Sequence, residues 1–167
     1  MSESIDIRSS DDVKMSVSKE VLDMWLTVSN MLKSYISKDD SEESGPCIEE
    51  IPISGVTGSV LRKIVNYCED YLKDPNNETW REEFFRNTHG AESVENVKTY
   101  HRELVDIINA ADYLEIKPLI EDIGKIMAAT IRGKSPQSIR EEWGFPDDLT
   151  KEEKERILDE NRWAFDL

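Results

Sequence analysis

Hydrophobic and polar residues alternate at the start of the chain. Ile5 and Ile7 alternate with Asp6 and Arg8, and Val13, Met15 and Val17 alternate with Lys14 and Ser16. A period of two marks a half-buried strand. Ser9, Ser10, Asp11 and Asp12 lie between the runs and supply turn chemistry, so the pattern predicts a β-hairpin. Ser18 can cap a short helix carrying Val21, Leu22 and Trp25. A second helix holds Met31, Leu32, Tyr35 and Ile36 on one side, and a polar, acidic, serine-rich loop is expected over 38–45. Ile51 and Ile53 then alternate around Pro52. Proline has no N–H for a ladder, so this third strand is expected to be short or at an edge.

The period then lengthens to that of a helix. Leu61, Ile64, Val65, Cys68, Tyr71 and Leu72 form one helical face, and Asp74-Pro75-Asn76-Asn77 stops it. The stretch 79–100 has the weakest pattern. Trp80, Phe84 and Phe85 suggest a short docking helix, and a loop is expected over 87–96. From Arg102 the chain reads as strongly helical, with Leu104, Ile107, Ile108, Ala111 and Leu114 on one stripe. Pro118 suits the first turn of the next helix, which carries Leu119, Ile120, Ile123, Ile126, Met127 and Ile131. Gly133 can end it in a left-handed conformation. Ser135-Pro136 starts a further helix carrying Ile139 and Trp143, which Gly144 ends. Thr150-Lys151-Glu152-Glu153 reads as a capping box. The last helix is expected to carry Ile157, Leu158, Ala164 and Phe165, with Trp163 off its apolar stripe. Strands first and helices after point to an α+β fold and not to a wound βαβ sheet.

Charge and composition narrow the partners. With 21 basic and 36 acidic residues, the formal charge is −15 over 167 residues. Such a surface repels nucleic acid and anionic lipid, so neither is expected as a partner. Cys47 and Cys68 are too few and too far apart for a disulfide scaffold, which suggests a reducing compartment, cytoplasm and/or nucleus. The length fits one domain with an appendage.

Candidate chemistry adds little. His89 and His101 lack the spacing of a zinc pair, and Gly55-Val56-Thr57-Gly58 lacks the lysine of a phosphate loop. Asp39, Asp40, Glu42 and Glu43 lack the spacing of a calcium loop. No catalytic residue, metal or cofactor is expected, so the chain is read as an adaptor and not an enzyme. A tryptophan off the core face, as Trp163 is expected to be, either covers a neighbouring helix or anchors a partner.

Three motifs, in order, carry a resemblance. They are the run from Ile108 through Ala110-Ala111-Asp112-Tyr113 to Leu119, the run from Ile131 to Arg140, and the ending Glu155 to Trp163. The chain resembles the S-phase kinase-associated protein 1 family, the linker subunits of SCF ubiquitin ligases. Ile7-Arg8-Ser9-Ser10-Asp11 and Met31-Leu32 also fit, and the likeness covers nearly the whole chain. The resemblance implies a BTB/POZ fold, a small three-stranded sheet packed with helices, over residues 1–133. Over 134–167 it implies two extra helices that bind an F-box. It implies a non-catalytic bridge between a cullin and F-box proteins. Asp112 and Tyr113 would face the cullin; Ile120, Met127, Ile131, Ile139, Trp143, Phe145 and Trp163 would face the F-box. A homodimer of the free chain, through the same apolar face, is a further expectation.

The chain also departs from the family pattern. Asp112 stands where the family usually has asparagine, so an amide becomes an acceptor-only carboxylate. Trp143 and Phe145 replace the usual Phe and Ile, and an extra segment lies between Phe85 and Leu104. The alternative reading is an F-box-binding or BTB-like module that engages no cullin.

Overall fold

A computed structural model describes residues 3–36, 50–87 and 94–164. The expected acidic loop with Asp39, Asp40, Glu42 and Glu43, together with Cys47, His89 and Phe165, lies outside those residues. The chain divides into two compact units, Met1–Arg132 and Gly133–Leu167.

In the first unit, β1 (Ser4–Ser9) and β2 (Lys14–Ser18) form the antiparallel hairpin, with Ile7 opposite Met15 and Ile5 opposite Val17. β3 (Glu50–Ile53) lies parallel on the other side of β1, with Ile51 beside Ile7. The order β2-β1-β3 leaves β3 at an edge, where Pro52 costs no ladder bond. Ile7, Val17, Ile51 and Ile53 are buried. Arg8 spans β1 and β3: its Nε donates to Glu50 Oε1 at 3.0 Å, which holds the Glu50 carboxyl below its ordinary range.

Six helices surround this sheet among the described residues of the unit: α1 (Lys19–Met24), α2 (Leu26–Ile36), α3 (Gly58–Lys73), α4 (Glu78–Asn87), α5 (Val94–Tyr113) and α6 (Lys117–Ile131). Ser18 Oγ caps α1 by accepting from the Val21 N–H at 3.4 Å. Trp25, Leu61, Ile64, Tyr67, Leu104, Ile107, Leu114 and Leu119 form the interior. Cys68 packs there too, and burial raises its thiol to about 11, so it is an apolar filler and not a nucleophile. The second unit holds α7 (Pro136–Trp143), α8 (Lys151–Glu160) and a 3₁₀ turn, Arg162–Ala164.

Two expectations change. Both ends of the loop expected over 87–96 are helical, because α4 runs through Asn87 and α5 already begins at Val94, ahead of Arg102. No glycine or proline lies between Val94 and Arg102, and Tyr100 and His101 are buried, so the backbone continues as helix into the core. The last helix is also shorter. It ends at Glu160, where the Asn161 side-chain amide donates to the Ile157 carbonyl at 2.8 Å. Ala164 therefore sits in a 3₁₀ turn and not on α8, and Trp163 leaves the stripe because the helix has already stopped.

Candidate protein-binding site

The first component of the site is α6. Pro118 occupies its first turn, and Gly133, at φ 74°, follows its end. Leu119 and Ile123 are buried, Ile120 and Met127 are half-buried, and Ile131 is exposed. The inner stripe thus anchors the helix, and Ile120, Met127 and Ile131 form a less buried stripe beside it.

In the second unit, Ser135 Oγ caps α7 by accepting from the Ser138 N–H at 3.2 Å, and Gly144 ends the helix at φ 71°. The turn brings Phe145 back against Trp143, their rings stacked 6.2 Å apart at 12°. Ile139 and Trp143 are half-buried and Phe145 is exposed. The capping box of α8 forms in both directions. Glu153 N–H donates to Thr150 Oγ1 at 3.3 Å, and Thr150 N–H donates to Glu153 Oε2 at 2.9 Å, which keeps the Glu153 carboxyl below its ordinary range. Lys154 Nζ lies 2.6 Å from Asp147 Oδ2 and lowers that carboxyl too, fastening the α7–α8 connection to α8.

Neither α7 nor α8 contains a buried residue. Between them runs a groove of about 420 Å³, lined by Pro136, Arg140, Leu149, Lys154, Ile157 and Leu158 among others. Trp163 is 75% exposed in its own turn. Short helices with no buried residue draw little stability from packing, so their caps carry a larger share of it. Removing the Thr150 cap should therefore loosen α8: Thr150→Ala is expected to cost about 1 kcal/mol of local stability, read as faster hydrogen exchange of α8 amides.

The other surface lies at the end of α5. Asp112 is exposed and Tyr113 is 46% exposed. The Tyr113 ring lies over Gly55, where a methyl group would sit 3.5 Å from its carbons. A cleft of about 340 Å³ opens beside it, lined by Val56, Thr57, Val60, Asp106 and Asn109 among others. Thr27 Oγ1 donates to the Tyr113 carbonyl at 3.1 Å, with Glu115 Oε1 at 3.3 Å as its other acceptor. Glu115 turns the chain at φ 56°, and the Ile116 N–H closes the helix end on the Ala111 carbonyl at 2.8 Å. Thr27 and Glu115 escaped the sequence reading, because nothing in their spacing links α2 to the end of α5.

The structure thus gathers Ile120, Met127 and Ile131 on one helix, stacks Trp143 on Phe145 one turn from Ile139, leaves Trp163 alone, and puts Asp112 beside Tyr113. Among the described residues no cluster of three or more His, Cys, Asp or Glu could hold a metal ion, and no helix is long and apolar enough to cross a membrane.

Two family descriptions match this chain. One, the Skp1 family tetramerisation domain, matches residues 3–73, and the other, the Skp1 family dimerisation domain, matches residues 117–164. The chain belongs to the Skp1 family. Its α+β architecture is accordingly the BTB/POZ fold, with the sheet and α1–α3 inside the first match. A Skp1-related protein of Caenorhabditis elegans is 35% identical over 164 residues, covering 97% of this chain and 92% of that one. Suppressor of kinetochore protein 1 of Schizosaccharomyces pombe is 33% identical, covering 97% and 98% of the two chains. SCF ubiquitin ligase complex protein SKP1a of Dictyostelium discoideum is 31% identical, covering 97% and 96%. The second Skp1-family match contains every residue from Ile120 to Trp163 singled out above, whereas Asp112 and Tyr113 lie between the two matches.

Proposed function

We propose that this Skp1-family chain is a non-catalytic adaptor of an SCF, or cullin-RING, ubiquitin ligase. It bridges a cullin scaffold to F-box substrate receptors and so serves ubiquitin-dependent protein degradation. The observation that carries this reading is the second unit, whose helices α7 and α8 bury no residue of their own and which exposes Ile157 and Leu158 on α8, Phe145 just after α7 and Trp163 in the closing turn. Apolar groups left open in this way are placed for a partner. Relatives of similar length carry the name of SCF ubiquitin ligase subunits, which supports the same role.

In this reading Ile120, Met127, Ile131, Ile139, Trp143, Phe145 and Trp163 meet the F-box, and Asp112 and Tyr113 meet the cullin. Ubiquitin transfer belongs to recruited partners, so no residue here acts as a catalyst. The Asp112 carboxylate accepts hydrogen bonds only, and being exposed it is solvated in the free chain. The cullin must then meet it with a donor or leave it wet. The work would take place in cytoplasm and/or nucleus, and the free chain would pair with itself through the same apolar groups. Co-expression with an F-box protein and a cullin N-terminal domain tests the bridge. A ternary complex in size-exclusion chromatography is the expected result. Recovery of the F-box protein without the cullin would leave only the cullin-free alternative, and recovery of neither would end the proposal.

A further inference from the structure

A buried carboxylate lies on the inner side of α6. Asp122 is buried among Leu119 and Ile123. Its Oδ2 accepts from the Tyr67 hydroxyl of α3 at 2.7 Å, a bond that is itself buried. The same oxygen lies 2.9 Å from Arg81 Nε of α4, an ion pair without an aligned hydrogen bond. Lys125, one turn along α6, reaches Oδ1 at 3.5 Å from a largely exposed position. Arg81 is in turn held from several sides. Its guanidinium lies 5.4 Å from the Trp80 ring centre and 5.7 Å from that of Tyr71, and its Nη2 donates to the Pro75 carbonyl.

One carboxylate therefore ties three helices together. The geometry is directional where the surrounding aliphatic contacts are not. Leucine and isoleucine contacts impose no fixed direction, but a buried carboxylate must keep the hydroxyl that donates to it and the cation beside it. A helix advances about 100° per residue, so Ile120, Met127 and Ile131 fall on the side opposite Asp122. Any roll that strained the bonds to Asp122 would turn that outer stripe by the same angle.

We propose that Asp122 is a positioning residue: with Tyr67 and Arg81 it sets the rotation of α6, and so the presentation of Ile120, Met127 and Ile131 to the F-box. Arg81 makes α4 part of this device. The inference rests on the F-box reading above for its partner, but not for the rotation itself.

The test uses the full chain with two variants. Arg81→Met removes the cation and keeps the stem. The triple variant Tyr67→Phe, Arg81→Met, Asp122→Leu replaces the whole polar cluster with apolar groups, a change that other buried ionic clusters tolerate with stability retained. The readouts are affinity for a purified F-box domain by calorimetry, hydrogen exchange of α6 amides in the free chain, and the thermal midpoint. Arg81→Met should weaken F-box binding roughly tenfold and speed α6 exchange. The triple variant should recover the thermal midpoint of the parent yet keep the weakened binding, since packing is restored and direction is not. Parental affinity in the triple variant, or unchanged α6 exchange in Arg81→Met, overturns the inference. If the parent chain itself binds no F-box domain while α6 exchange responds to Arg81→Met, the rotation device stands and the F-box reading falls.

Discussion

Replacing Trp163 with alanine is expected to weaken F-box binding by about 2 kcal/mol, roughly thirtyfold in Kd, with no change in the thermal midpoint of the free chain. The two halves of that expectation have one cause. Trp163 is 75% exposed and sits in a 3₁₀ turn after α8 has ended, so the free chain gains little from its ring. Large aromatic side chains of this kind contribute when a partner desolvates them, through area and through a rigid shape that loses little rotamer freedom. Calorimetric titration of an F-box domain against the parent and Trp163→Ala separates the two states. Equal affinities would remove Trp163 from the interface, and a lowered thermal midpoint would show that it serves the fold instead.

Gly58→Val is expected to cost the fold about 3 kcal/mol, at the upper end for an overpacked site, and to lower the thermal midpoint by roughly 10 °C. Gly58 opens α3 directly against the hairpin turn. A Cβ there would lie 2.6 Å from the Cβ of Val13, a contact that no rotamer change relieves, because both atoms are fixed to backbone. The backbone cannot easily retreat, since the Gly58 N–H donates to Asp11 Oδ1 at 2.7 Å and the Ser10 N–H donates to the Val56 carbonyl at 2.9 Å. Thermal denaturation of Gly58→Val, Val13→Gly and the double variant tests the assignment. The double variant should be more stable than the sum of the two single losses allows, because Val13→Gly removes the atom that is struck. Simple additivity would place the strain elsewhere.

The parts of this fold that were legible in the sequence are those fixed by local chemistry. The hairpin follows from alternation around Ser9 to Asp12, and the start of α7 from Ser135-Pro136. Thr150 to Glu153 spells out the start of α8, and Pro52 places β3 at an edge before any pairing is known. The α5 start was missed because a polar helix with a buried end carries no clear stripe over its first turns. The α8 end was missed because Asn161 acts through a side-chain cap that periodicity does not register. Gly58 drew notice only as part of a stretch lacking a phosphate-binding lysine, whereas its size answers to Val13 in the hairpin turn, distant in sequence. Asp122 was passed over for a similar reason. It sits on the face of Leu119, Ile123 and Ile126, and a carboxylate in an apolar stripe is a signal that can be read. Its partners Tyr67 and Arg81 come from two other helices and have no spacing to betray them. For the site, the resemblance supplied roles that spacing alone left open, and Trp163 is the one residue that both lines of reasoning reached.

The absence of any buried residue in α7 and α8 has a consequence for turnover. A segment held by caps and surface ion pairs, with no buried residue in its helices, opens often, and open backbone is what proteases cut. In the proposed complex a bound receptor suppresses that opening by mass action, more strongly as its concentration exceeds Kd. The lifetime of the free chain would then follow the supply of receptors. Unoccupied adaptor would be trimmed from its C-terminal side while the sheet-bearing unit persisted, which would make the adaptor pool a running measure of how many receptors are waiting to be served.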